Sequence, residues 1–217
     1  MSFADFPHYI GWRASRLAGM NKYLVPNFFS GKTLLEMGSG WGDMASELLA
    51  LGATVTCADA RAEYLDVVKT NYPAMATMQV DADKDTITET FDVVHHGGVL
   101  YHLTAIENHI QNLSNICKVL ILESEVVDSS DPTYKIEKDE DGFDQAYNNK
   151  GVRPSAGYIE NLLTVNGFQF RRLDDPIFNS EFHNYDWVVE DTDVWRHGLR
   201  RFWICWKNTE SPIAPGL

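Results

Sequence analysis

The stretch Leu34-Leu35-Glu36-Met37-Gly38-Ser39-Gly40-Trp41-Gly42 decides the fold. An apolar run interrupted by one acid meets glycine at every second position. Residues 43–51 follow, with Ala45, Leu48 and Leu49 on one helical face. This is a strand, a tight turn and a helix. Glycine accepts backbone angles that other residues resist, and it lets a ligand approach the main chain where a Cβ would stand. A dinucleotide turn reads GxGxxG and seats a pyrophosphate on the helix N-terminus. Here the pattern is ExGxGxG.

Working outward, 33–37 is the strand before the turn and 54–58 a β-branched strand. Residues 63–72 are a helix stopped by Pro73, and 76–80 and 91–95 are short strands. Residues 105–116 place Ile106, Ile110 and Leu113 at helical spacing, with Thr104 and Glu107 as a capping box. A strand at 118–127 precedes a helix capped by Ser155 and ended by Gly167. The runs 168–173 and 201–206 are two final strands with no helix between them, so an antiparallel pair closes one end. Alternating strands and helices predict an α/β, Rossmann-like, seven-stranded, mostly parallel sheet with an antiparallel edge strand and helices on both faces. Residues 1–217 read as one domain. Within it 1–30 form a helical cap, 128–153 an acidic lid loop, and 174–199 an insertion near the active site.

Composition narrows the function. The 217 residues are 44% hydrophobic and 12% aromatic, enough for a packed core, and the formal net charge is −13. That charge repels a phosphate backbone, so nucleic acid is not the expected partner. Basic residues cluster at Arg13, Arg16 and Lys22 and at Arg196, Arg200 and Arg201, where each cluster suits a small anion or carboxylate. No apolar run is long enough for a bilayer, the start lacks a secretory pattern, and Cys57, Cys117 and Cys205 form no paired framework. A cytoplasmic protein without membrane or metal is the expectation. Glu137, Asp139, Asp141 and Gly142 are spaced like the start of a calcium loop, but its twelfth position is Asn148, where a bidentate Glu is needed.

Asp59 ends the second strand, Asp81-Ala82 ends the third, and Phe91-Asp92-Val93-Val94 forms the fourth. With Glu36, Gly38, Gly40 and Gly42 in order before them, these residues resemble the motifs of class I S-adenosylmethionine-dependent methyltransferases. The resemblance implies S-adenosylmethionine as cofactor. Its methionine moiety and ribose would lie along the glycines, with Glu36 fixing the ammonium group. Asp59 would take both ribose hydroxyls, and Asp81 and Ala82 would meet the adenine. His96 and Gly97 border the cofactor in this reading, Gly97-Gly98 admitting the sulfonium, while His95 packs inside.

The string Gly98-Val99-Leu100-Tyr101-His102, with Leu122-Glu123-Ser124-Glu125 and Pro154-Ser155, resembles the bacterial tRNA wobble-uridine enzymes that use carboxy-S-adenosylmethionine. That resemblance implies that Tyr101 and a late arginine, Arg200 or Arg201, recognise the extra carboxylate of the donor. The acidic balance and the lack of a large region ahead of the sheet set the opposite expectation, ordinary methyl transfer to a small-molecule or sugar-like acceptor. Tyr101 and His102 are the candidate catalytic residues, with His102 the base. Arg13, Arg200, Arg201 and His183 are the candidate acceptor contacts. A nicotinamide-dependent oxidoreductase and a non-catalytic cofactor-binding module are the alternatives.

Overall fold

A computed structural model describes residues 7–142, 145–181 and 183–216. Its seven-stranded sheet has the order β3-β2-β1-β4-β5-β9-β8. These strands are β1 (Thr33–Met37), β2 (Thr54–Asp59), β3 (Ala76–Gln79), β4 (Phe91–Gly97), β5 (Cys117–Val127), β8 (Gln169–Arg172) and β9 (Trp195–Trp206). The first five pair in parallel, and β9 runs against both β5 and β8. The reversal therefore sits one strand in from the edge, and β8 runs with the majority. Strand order reverses between β1 and β4, the place where open α/β sheets leave a crevice at their carboxyl ends.

Side chains alternate across the sheet, so each strand feeds two cores. Leu35, Val94, Leu120 and Leu122 join α4 (Ile106–Ile116) and α5 (Ala156–Val165) on one face. Leu34, Val93, Val119 and Ile121 join α1 (Pro7–Tyr23), α2 (Asp43–Ala50) and α3 (Ala62–Asn71) on the other. Each such side chain contributes about 1.5–3 kcal/mol on full burial. Cys57, Cys117 and Cys205 are buried free thiols within these cores. None of the helices among the described residues is long and apolar enough to cross a membrane.

Local chemistry explains most boundaries and corrects one. Ser155 accepts a hydrogen bond from the Tyr158 N–H, and Gly167 takes a left-handed φ of 82° just past α5. The capping box expected before α4 does not form. Asp83, from the preceding loop, accepts the N–H groups of Thr104 and Ala105 at 2.7 and 2.8 Å, while Glu107 turns outward to Lys135 and Tyr158. A carboxylate from elsewhere in the chain thus does the capping that the local sequence offers.

The expected lid at 128–153 is folded. Two strands, β6 (Lys135–Asp139) and β7 (Lys150–Pro154), pair as a separate antiparallel hairpin. Glu137 and Asp139 belong to β6, which removes the calcium-loop geometry. The cap at 1–30 has a single long helix, α1, among its described residues. The 174–199 segment lies against β9 through an Asn184–Leu199 bridge; Phe182 and residues 143–144 lie outside the described residues.

His96 faces α4, where its Nε2 lies 2.9 Å from Nε2 of His109, both rings buried. One ring donates and the other accepts, so the accepting ring must be neutral. Burial holds both below the ordinary histidine range, His109 down to about 4. The unfolded chain takes up protons from about pH 6.5 downward while the folded pair does not, so stability falls as pH falls across that window. The double variant His96→Leu/His109→Leu should show a flatter loss of melting temperature between about pH 6.5 and about pH 4 than wild type. Equal slopes in thermal melts would remove the pair from the acid response.

Candidate active site

The glycine turn makes the floor of the site. Gly38, Gly40 and Gly42 have φ of 66°, 54° and 86°, so the chain passes from β1 to α2 through left-handed angles. The Gly40 N–H donates to Asp59 Oδ2 at 3.0 Å, and the Arg61 N–H donates to Asp59 Oδ1 at 3.0 Å. Asp59 therefore braces the turn from the end of β2. Burial raises its carboxyl above the ordinary range, against the opposing effect of those two backbone donors.

A cavity of about 340 Å³ opens above this floor. Glu36, Gly38, Gly40, Asp59, Asp81, Ala82 and Gly97 line it on the expected cofactor side, together with Arg61, Tyr147 and Asn148. Tyr101, His102, Arg13, Arg200 and His183 line the rest, with Trp12, Arg16, Glu125 and His197. Its size falls in the ordinary range for small-molecule sites.

Three expected site residues lie elsewhere. Gly42 caps α2 and backs onto Val68 and Tyr72, at 3.2 Å from where a Cβ would stand, so its role is packing behind the turn. His96 is committed to His109. Its neighbour His95 is the one near the cavity, with Nδ1 2.9 Å from Glu36 Oε2. Successive strand residues face opposite sides, so His96 does not border the cavity as expected, while His95, buried as expected, meets Glu36 without lining the cavity. Arg201 points away and holds the 174–199 segment, donating to the carbonyls of Tyr185 at 2.5 Å and Trp187 at 2.8 Å.

Arg200 is the arginine in the cavity wall. Its Nη1 donates to the Tyr101 hydroxyl and to Glu123 at 3.0 Å each, and its Nη2 donates to Glu125 at 3.1 Å. Glu123 also binds Arg16 of α1, and Glu125 accepts from Arg153 of β7 at 2.5 Å and Trp195 at 3.1 Å, with His197 at 2.8 Å. Arg153 continues to Glu140 at 2.6 Å, and Glu140 to His102. Burial favours neutral carboxyls here, but the adjacent His197, Arg200 and Arg153 outweigh it and hold Glu125 down to about 2. Burial likewise raises the Tyr101 phenol, which leaves it a hydrogen-bond donor and not an anion.

The sequence reading passed over Trp12, Glu140 and Arg153, and it quoted Glu123 and Glu125 within a family string without giving them a role. Further linear signals are the i, i+4 spacing of Trp12 and Arg16 and the odd placement of two acids inside an apolar strand. Gly97 and Gly98 also gain a different reason. A Cβ on Gly98 would stand 2.8 Å from Trp12 and 3.0 Å from Arg16, and one on Gly97 would stand 3.3 Å from Arg16. The missing side chains thus seat the stacked Trp12–Arg16 pair, whose guanidinium lies 3.3 Å from the indole centroid.

Known proteins were compared with this geometry. Residues 35–125 match the family model of a methyltransferase domain, a stretch that runs from β1 to β5. No curated protein matches. An S-adenosylmethionine-dependent methyltransferase from Mesorhizobium loti aligns with a TM-score of 0.62 and 13% identity, over 90% of this chain and 97% of its own. The N-terminal domain of EvdMO1 with SAH bound aligns at 0.66 and 15%, over 90% and 80%. The same domain in the presence of SAH and D-fucose gives 0.63 and 15%, over 90% and 82%. At these identities the likeness to the solved structures is one of fold.

Gly98→Ala should destabilise the protein. A left-handed non-glycine residue costs about 1–2 kcal/mol, and overpacking against Trp12 adds about 1–3 kcal/mol. Adding Trp12→Leu should recover part of that second share in denaturant titrations. A neutral Gly98→Ala would mean that α1 does not dock on this glycine.

Proposed function

We propose that the chain is an S-adenosylmethionine-dependent methyltransferase acting on a small, neutral, polar acceptor such as a sugar-like alcohol. The observation that carries the reading is the glycine turn braced by Asp59, opening into one cavity that also holds Tyr101 and His102. The methyltransferase-domain match over 35–125 supports it. The groups present fit the cofactor: a Cβ-free turn for the methionine chain, Glu36 for an ammonium, Asp59 for vicinal hydroxyls, and Asp81 with Ala82 for an adenine edge. Asp81 already accepts from Lys84 at 2.7 Å, so an adenine amine would share an occupied carboxylate.

The donor supplies an activated methyl group on a sulfonium. The chain's own residues align the acceptor, exclude water and remove a proton. His102 is the base. Arg13, Arg200 and His183 border the acceptor, and Tyr101 offers its ring and hydroxyl. The buried wall carries Arg16, Arg153 and Arg200 against Glu123, Glu125 and Glu140. Three guanidinium groups against three carboxylates leave no net charge, which favours a neutral acceptor. D-fucose accompanies the EvdMO1 domain in one of the similar structures, and a sugar-like hydroxyl suits this wall. The net charge of −13 argues against a nucleic-acid acceptor.

The same balance bears on the donor. A carboxylate on the transferred group would need an arginine with charge to spare, and Arg200 already faces Glu123 and Glu125. Ordinary methyl transfer is the better reading. In paired isothermal titrations, S-adenosylmethionine should bind at least as tightly as its carboxylated form. A preference above about tenfold for the carboxylated donor, about 1.4 kcal/mol, would reverse this choice.

Asp59→Asn tests the cofactor pose. It should weaken S-adenosylmethionine by about 1.5–3 kcal/mol, the range for hydrogen bonds to a charged group. The 2′,3′-dideoxy analogue should lose less, keeping only the share due to the loosened turn. Equal losses would confine Asp59 to bracing the turn. Tight binding of NAD in place of S-adenosylmethionine would sink the whole reading.

A further inference from the structure

The β6–β7 hairpin delivers to His102 a carboxylate whose role the proposed reaction leaves unassigned. Glu140 follows directly on β6, and its side chain is 3% exposed against 17% for His102. Every group it meets is a donor. Oε2 pairs with His102 Nδ1 and accepts the Ala146 N–H at 2.9 Å, and Oε1 faces Arg153 Nη1 at 2.6 Å. Burial opposes its charge, but His102 and Arg153 outweigh burial and hold the carboxyl below its ordinary range. An ionised carboxylate only accepts hydrogen bonds. A neutral His102 beside it must therefore carry its proton on Nδ1, leaving the Nε2 lone pair for the cavity that the ring lines.

The approach of the hairpin is built for this contact. A Cβ on Gly151 of β7 would stand 3.1 Å from the His102 Cα and 2.8 Å from Glu140 Oε1, so only glycine lets β7 lie this close. Arg153 also donates to the Tyr101 carbonyl at 2.8 Å, fixing the backbone that carries His102.

We propose that Glu140 is the positioning residue that holds His102 in the Nδ1–H tautomer, the form able to accept a proton from substrate through Nε2. The catalytic side of this inference rests on His102 being the base of the proposed methyl transfer. The tautomer itself does not.

Ring-nitrogen NMR on 15N-histidine-labelled protein reads it directly, at the alkaline end of a pH series where the ring signals no longer change. The His102 signals are assigned by their loss in His102→Gln. Wild type should show the Nδ1–H pattern. In Glu140→Gln the side-chain oxygen stays with Arg153, the amide donates to Nδ1, and the ring should switch to Nε2–H. Glu140→Asp, which keeps an acceptor, should retain Nδ1–H. An Nε2–H ring in wild type, or an unchanged tautomer in Glu140→Gln, would overturn the proposal, and the wild-type spectrum decides even if the variant does not fold. With an acceptor in hand, Glu140→Gln should lower kcat by about 10²–10⁴, the range for a general base, with the affinity for S-adenosylmethionine unchanged. A parallel loss of donor affinity would mean that Glu140 holds the hairpin and not the base. Failure of S-adenosylmethionine to bind would sink the methyl-transfer reading alone, because the tautomer is measured without donor or acceptor.

Discussion

Two carboxylates inside a β-sheet dominate this molecule. Glu123 and Glu125 sit two residues apart on β5, both buried, facing the same side. Taking charges out of water costs several kcal/mol each, and leaving one unpaired costs about 3–5 kcal/mol. Three separate elements meet that demand: Arg16 from α1, Arg153 from β7 and Arg200 from β9. Each arrives with its element, so the ion network fixes where the N-terminal helix, the hairpin and the last strand lie. Two of those elements, α1 and β9, also line the cavity, and β7 backs it by bonding the Tyr101 carbonyl through Arg153.

The same arrangement shapes the chemistry. The arginines are spent on internal partners, so the wall presents directed donors and aromatic faces without excess charge. Glycines at 97 and 98 clear space for the His95, Trp12 and Arg16 side chains, and the glycine at 38 clears space for Val99, while all three glycines still border the cavity. The frame around the cavity is held by mutually neutralised ion pairs, the kind of preorganisation that directed recognition uses.

Much of the fold is legible in the sequence because it is local. The turn at 36–42, the strand periodicity and the Ser155 and Gly167 signals act over a few residues, and each matches the structure. What the linear reading missed depends on distance. Asp83 displaces the Thr104–Glu107 box because a carboxylate 21 residues before Thr104 takes the N–H groups at the helix start. Arg200 and Arg201 are indistinguishable until the β5–β9 register sets Glu125 opposite Arg200. His95 and His96 alternate by the strand period, but both faces are buried, so polarity alone could not orient them. On the site itself, Glu36, Gly38, Gly40, Asp59, Asp81, Ala82 and Gly97 stand at successive strand ends, where the sequence order brings them to one cavity. Glu140 was not legible, since nothing near it in the chain announces that a hairpin folds it onto His102.

The three cysteines have a practical bearing. Burial pushes the thiols of Cys57 and Cys117 up to about 12 and raises that of Cys205 well above the ordinary range. Only the thiolate attacks alkylating reagents, so all three are silent while the chain is folded and become reactive once it opens. A cysteine introduced at an exposed position such as Val188 would carry a fluorophore or spin label alone, with no native thiol to remove. The untouched native thiols would meanwhile act as a built-in clock, their alkylation rate counting each excursion of the cores into solvent.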